Sequence, residues 1–281
     1  MSAQVDDIIR RALAEDAPWG DLTSEAFVPE AATASALLVA REPGVFSGAE
    51  VFARVFELVD AGTTVELGLA DGEPFAAGAV LASVDGPARA VLRAERIALN
   101  LVQRMSGIAT LTARYVAAID GTSARIVDTR KTTPGLRILE RQAVRDGGGR
   151  NHRFSLSDAV MAKDNHLAVL AAQGMGVGDA IRRARAHLGH TVHLEVEVDR
   201  IDQVEEVVSA GVDTIMLDNF TPDELREGVA LVAGRAIVEA SGGVNLDTVR
   251  AIAESGVDVI SVCALTHSVR SLDLGLDVTV A

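Results

Sequence analysis

Apolar positions along this 281-residue chain fall into two rhythms. Over residues 5–15, 49–60 and 89–119 they recur every three to four residues, the spacing of an amphipathic helix. The longest of these is marked by Val91, Leu92, Ala94, Ile97, Ala98, Leu101, Val102 and Met105. Short apolar runs at 34–40, 65–68 and 80–84, bounded by Gly and Pro, predict strands.

From residue 125 onward each apolar run ends in polar residues. Arg125-Ile126-Val127 leads into Asp128-Thr129-Arg130-Lys131, and residues 159–162 lead into Lys163-Asp164-Asn165-His166. Residues 192–194 lead into Glu195 and Glu197, 214–217 into Asp218-Asn219-Phe220, 236–238 into Glu239-Ala240-Ser241-Gly242-Gly243, and 259–262 into Cys263-Ala264 and His267. The last four runs start 22 or 23 residues apart, with helix-like stretches at 203–210, 222–231 and 246–255 between them. Buried strands alternating with helices predict a parallel sheet, and the short even repeat predicts a barrel. The fold class expected is therefore α/β: a barrel over about 108–267, preceded by a smaller domain over about 1–107. In such barrels the chemistry sits at the carboxyl ends of the strands, where every functional-looking residue here falls.

Composition narrows the partners. A net charge of −14 argues against nucleic acid or an anionic membrane. Long apolar runs are broken by Arg, Asp or Glu, which disfavours a membrane span. The first residues show no leader-like pattern, and the single cysteine, Cys263, rules out an internal disulfide framework, so the cytoplasm is the expected location. Of the 26 lysines and arginines only two are lysine, Lys131 and Lys163, and both follow short apolar runs. A lysine retained where arginine is the default cation points to a task for a compact, flexible ammonium.

Within this acidic chain, residues 130–163 are basic. Arg130, His152, Arg153 and Lys163 would make a cationic mouth for an anion bearing several carboxylates or phosphates. Arg137, Arg141 and Arg145 read as a solvated helix face. Glu197 and Asp218, acids at successive strand ends, could hold sugar hydroxyls or a divalent cation; Asp218 is the firmer candidate, with Glu195 the alternative to Glu197. Ser241-Gly242-Gly243 precedes a predicted helix and would let backbone amides approach a phosphate. Three features are discounted. His187, His190 and His193 lack metal-site spacing. The Gly174 to Gly178 run lacks a following Lys-Ser/Thr. Cys263 reads as a small core residue.

Taken in order, several motifs resemble those of the quinolinate phosphoribosyltransferase family. They are Gly20-Asp21-Leu22-Thr23-Ser24, Glu95-Arg96-Ile97-Ala98-Leu99-Asn100, Gln103-Arg104-Met105-Ser106-Gly107, Asp128-Thr129-Arg130-Lys131-Thr132-Thr133-Pro134-Gly135, Asn151-His152-Arg153, Lys163-Asp164-Asn165-His166, Met216-Leu217-Asp218-Asn219-Phe220 and Ser241-Gly242-Gly243. The resemblance implies transfer of a phosphoribosyl group from phosphoribosyl pyrophosphate to quinolinate, with loss of CO₂, giving nicotinate mononucleotide for NAD synthesis. It implies Mg²⁺, an amino-terminal α/β sandwich rejoined by the last strand (268–281), an incomplete TIM-like barrel, and a homodimer in which Arg96 reaches the partner's site. It also implies roles. Arg96, Arg130, His152, Arg153 and Lys163 surround quinolinate. Lys131 and Lys163 face pyrophosphate. Glu197 and Asp218 meet the ribose and the metal. Ser241, Gly242, Gly243, Cys263, Ala264 and His267 meet the 5′-phosphate. Cys263 stands where the family usually has glycine, and its side chain is expected to turn into the core. The alternatives are a paralogue in the same fold associated with molybdenum-transport operons, a nicotinate or nicotinamide phosphoribosyltransferase, and a non-catalytic sensor of an anionic metabolite.

Overall fold

A computed structural model describes residues 2–172 and 174–280. Its strands, in chain order, are β1 (Thr33–Ala40), β2 (Gly44–Val45), β3 (Thr64–Leu67), β4 (Pro74–Phe75), β5 (Val80–Pro87), β6 (Arg125–Val127), β7 (Val160–Ala162), β8 (Leu194–Val198), β9 (Thr214–Asp218), β10 (Ile237–Ser241), β11 (Val259–Ser261) and β12 (Leu274–Val280). The chain divides into two compact units. One comprises 1–113, 132–148 and 265–281, the other 114–131 and 149–264. Residues 132–148 thus pack with the amino-terminal unit and not with the barrel, where the sequence pattern had put them. Helix Arg137–Asp146 explains this, because it buries Leu139, Ala143 and Val144 and sets Glu140 against Arg104.

The first unit is built on an antiparallel sheet in the order β12-β1-β5-β3, so the last strand does rejoin the amino-terminal domain. Strict alternation along β1 buries Ala34, Ala36, Leu38 and Ala40. Helix Ala49–Val59 buries Val51, Phe52, Val55 and Phe56, and the two phenyl rings meet edge-on at 5.0 Å. The Gly20-Asp21-Leu22-Thr23-Ser24 motif is a helix start: the Asp21 carboxylate accepts the Thr23 and Ser24 amides, both at 3.1 Å. Gly107 permits close contact with the tail, since a Cβ there would lie 2.3 Å from the Arg270 carbonyl oxygen.

The second unit carries a parallel sheet in the order β6-β11-β10-β9-β8-β7. Side chains from or just after all six strands line one cavity, so the sheet curls around it. Along the free edge of β6, residues 149–153 run without forming a strand. Arg150 makes a single parallel bridge to Val127, and its amide donates to the Ile126 carbonyl at 2.9 Å. Boundaries shift relative to the sequence pattern. Strand β8 starts at Leu194 and β10 ends at Ser241, so Glu195, Glu197 and Glu239 lie inside strands. The helix expected at 246–255 is the short Val249–Ala253.

Candidate active site

Side chains alternate across a strand, so every second residue of the parallel sheet points into the barrel. The cavity of about 380 Å³ at the carboxyl ends follows this rule: Met161 and Lys163, Glu197, Met216 and Asp218, Glu239 and Ser241, Ser261 and Cys263. Thr129, Arg130, Lys131, His152 and Arg153 complete its wall. The expected set Arg130, Lys131, His152, Arg153, Lys163, Glu197, Asp218, Ser241 and Cys263 is therefore brought together. Arg96 and His267 belong to the first unit and are exposed. Gly242 and Ala264 adjoin lining residues and Gly243 follows Gly242, but none of the three lines the cavity.

Glu195 and Glu197 are two residues apart and share a face, so they are not alternatives. Glu197 is part-exposed and contacts Lys163 Nζ, while Glu195 is buried one layer deeper. Cys263 is half-buried and lines the cavity, which corrects the expectation that its side chain turns into the core. Sequence reasoning missed Thr129, Met161, Met216, Glu239 and Ser261. Carrying period-two alternation through each strand would have found all but Thr129.

Asp128 organises the His152–Arg153 segment. It is fully buried; one carboxylate oxygen accepts the His152 amide at 2.7 Å and the other accepts Asn151 Nδ2 at 2.6 Å. The His152 ring then lies between Glu195 and Glu239, with Nε2 at 3.1 and 3.4 Å from their oxygens. Burial opposes a charge on His152, but the two carboxylates outweigh it and push its pKa up to about 10. Burial, reinforced by Glu239, raises the pKa of Glu195. Nδ1 accepts the Arg153 amide at 2.7 Å. With Nδ1 accepting, the ring N–H is on Nε2 and faces the two carboxylates. The Arg153 pKa is lowered by burial and by nearby Arg130. Its guanidinium donates to the Ala159 carbonyl at 3.0 Å.

The loop after β10 is shaped by contact with its neighbour. The Asn219 amide donates to the Ser241 carbonyl at 2.8 Å, and Gly242 sits at φ +87°. A Cβ on Gly242 would lie 2.2 Å from Asn219 Oδ1. Gly242→Ala is expected to cost about 2 kcal/mol, from left-handed backbone strain plus this clash, and to lower the thermal midpoint. An unchanged midpoint would show that the loop relaxes freely. The helix that follows starts six residues after Gly243, so no helix dipole lies next to the glycine pair.

This constellation can be set beside known proteins. The quinolinate phosphoribosyl transferase N-terminal domain model matches residues 21–106, and the C-terminal domain model matches 108–277. The chain belongs to the quinolinate phosphoribosyltransferase family. A member of this family from Mycobacterium leprae, nicotinate-nucleotide pyrophosphorylase (carboxylating), is 44% identical over 96% of each chain. A Bacillus subtilis protein with the same name, marked probable, is 43% identical over 99% of this chain and 94% of its own. The crystal structure of NadC from Streptococcus pyogenes superposes with a TM-score of 0.94 at 41% identity, over 99% of this chain and 97% of that one. No described helix is long and apolar enough to cross a membrane.

Proposed function

We propose that this chain transfers the phosphoribosyl group of phosphoribosyl pyrophosphate to quinolinate and releases pyrophosphate and CO₂, forming nicotinate mononucleotide. One observation carries the reading: Arg130, Lys131, Arg153 and Lys163 share a single cavity with Glu197 and Asp218. A dicarboxylate and a pyrophosphate need converging cations, and a sugar whose C1 becomes electron-poor needs nearby carboxylates. The ring nitrogen of quinolinate attacks C1 as the C1–pyrophosphate bond breaks. Arg130 and Arg153 fork onto the carboxylates beside His152, Lys131 and Lys163 meet the departing pyrophosphate, and Glu197 and Asp218 hold the ribose hydroxyls and stabilise the oxocarbenium-like charge. Once ribosylated, the cationic ring nitrogen stabilises the carbanion left at C2 when CO₂ departs, and a proton from water completes the C2–H bond, so no protein base is required.

Mg²⁺ fits the donor set. Glu197 and Asp218 are both part-exposed in the cavity, and Mg²⁺ commonly takes one or two carboxylates with substrate phosphates completing its shell. Bound there, it would neutralise pyrophosphate charge. A homodimer in the cytoplasm, with Arg96 reaching the partner's site, completes the reading. Trp19, Leu22 and Phe27 are 92%, 77% and 83% exposed, and apolar surface of this kind favours burial against a second copy.

The test is absorbance assay of purified protein with phosphoribosyl pyrophosphate, Mg²⁺ and either quinolinate or nicotinate. Nicotinate mononucleotide with equimolar CO₂ from quinolinate, and none from nicotinate, is expected. Turnover of nicotinate would assign a different acceptor.

A further inference from the structure

The middle layer of the barrel interior is polar where barrels ordinarily pack Val, Ile and Leu. Glu195 on β8 and Glu239 on β10 are each 3% exposed, and each keeps one oxygen, Oε1, without a hydrogen-bond partner among the described residues. An unmet buried acceptor costs about 1–3 kcal/mol, so this pair works against stability. Both other oxygens converge on His152 Nε2.

The three groups have the spacing of a metal site, their donor atoms lying within 4.8 Å of one another. Nδ1 argues against that use. An imidazole that ligates a metal through Nε2 carries its proton on Nδ1 and donates it outward. Here Nδ1 accepts the Arg153 amide, which leaves the proton on Nε2, aimed at the carboxylates.

The segment carrying His152 and Arg153 is also anchored downstream, the Arg153 guanidinium donating to the Ala159 carbonyl and the Phe154 amide to Asp158. It lies outside the strands, with one bridge to β6. Asp128 grips its backbone from β6's end, and the His152 ring reaches across the barrel to β8 and β10. We propose that Glu195 and Glu239 are positioning residues for the acceptor half of the site: they pin the His152 ring, and through the His152–Arg153 peptide they set the Arg153 guanidinium for a carboxylate of the aromatic dicarboxylate. This rests on the function proposed above. It assigns a task to two acids that touch neither the sugar nor the pyrophosphate in that scheme. It also explains why a stability-lowering pair occupies the barrel's centre.

Glu239→Leu removes the acceptor and fills the space with apolar volume, while Glu239→Gln keeps an acceptor for Nε2–H. In Glu239→Leu the KM for quinolinate and the Kd for phthalate, a non-reacting benzene dicarboxylate, are expected to rise about tenfold, the size of one lost hydrogen bond. The KM for phosphoribosyl pyrophosphate stays within about twofold, the thermal midpoint holds or rises as buried charge is replaced by packing, and Glu239→Gln recovers most of the phthalate affinity. Hydrogen exchange at the His152 and Arg153 amides, read on the ligand-free protein, speeds up about tenfold in Glu239→Leu while β8 to β10 stay protected. Unchanged exchange overturns the proposal whatever the acceptor proves to be. Loss of affinity for both substrates together with a lower midpoint overturns it in favour of a purely structural pair. Faster exchange in Glu239→Leu, alongside a wild type that turns over no quinolinate, would instead retain the positioning and reject the acceptor.

Discussion

Lys163→Ala is expected to reduce turnover by about 10²–10³-fold at saturating substrates, the size seen when one preorganised group facing developing charge is removed. Lys163 Nζ contacts Glu197 inside the cavity, and its side chain is 43% exposed, so the ammonium is available to an incoming anion. Deleting it removes a cation from the path of pyrophosphate and leaves the Glu197 carboxylate facing that anion. Like charges at close range then oppose binding as well as departure. Lys163→Arg should recover only part of the loss, because a planar fork cannot follow the leaving group as an ammonium on a flexible stem can. Steady-state kinetics of the two variants decide this; a Lys163→Ala enzyme within about fivefold of wild type would remove Lys163 from the chemistry.

Glu140→Ala is expected to cost about 3–5 kcal/mol, the penalty for leaving one member of a buried ion pair alone. Glu140 is fully buried in the first unit and pairs with Arg104 at 2.8 Å. Its second oxygen accepts the Thr133 amide at 3.1 Å. Arg104 also donates to Thr133 Oγ1 at 3.1 Å, to the Val269 carbonyl at 3.3 Å and to the Thr266 carbonyl. One arginine thus ties the 132–148 segment and the tail to the long helix Ala88–Ala118. Denaturant unfolding measures the cost. A change below about 1 kcal/mol, the ordinary size of a surface substitution, would mean that water replaces the carboxylate.

Much of the site was legible in the chain because strand ends announce themselves. An apolar run that stops at Asp128, Lys163 or Asp218 marks where a buried strand meets the open end of the barrel; Lys163 and Asp218 do meet in one cavity, with Thr129 to Lys131 just after Asp128 in its wall. Glu239 was read as a strand end when it is a strand centre. The reason is local: Ile237-Val238-Glu239-Ala240-Ser241 has too few apolar residues to display its full length, and its pairing with β9 is what extends it. Glu195 was set against Glu197 although two-residue spacing puts both inside. Cys263 was assigned to the core because small apolar-seeming residues usually lie there, yet it is the next inward position after Ser261.

Local order in this protein is a property of its sequence. The helical and strand periods, the Asp21 cap and the even repeat of strand and helix are written in neighbouring residues, whose side-chain spacing and capping act over a turn or two. The α/β class and the charged character of the site follow from them. Tertiary structure decided what depends on residues far apart. Among these are the capture of 132–148 by the first unit, the pairing of β12 with β1, and the meeting of His152, Glu195 and Glu239 across the barrel. Those contacts exist only once the sheet has curled, because no short-range rule brings an acid on β8, an acid on β10 and a ring outside the strands to one point.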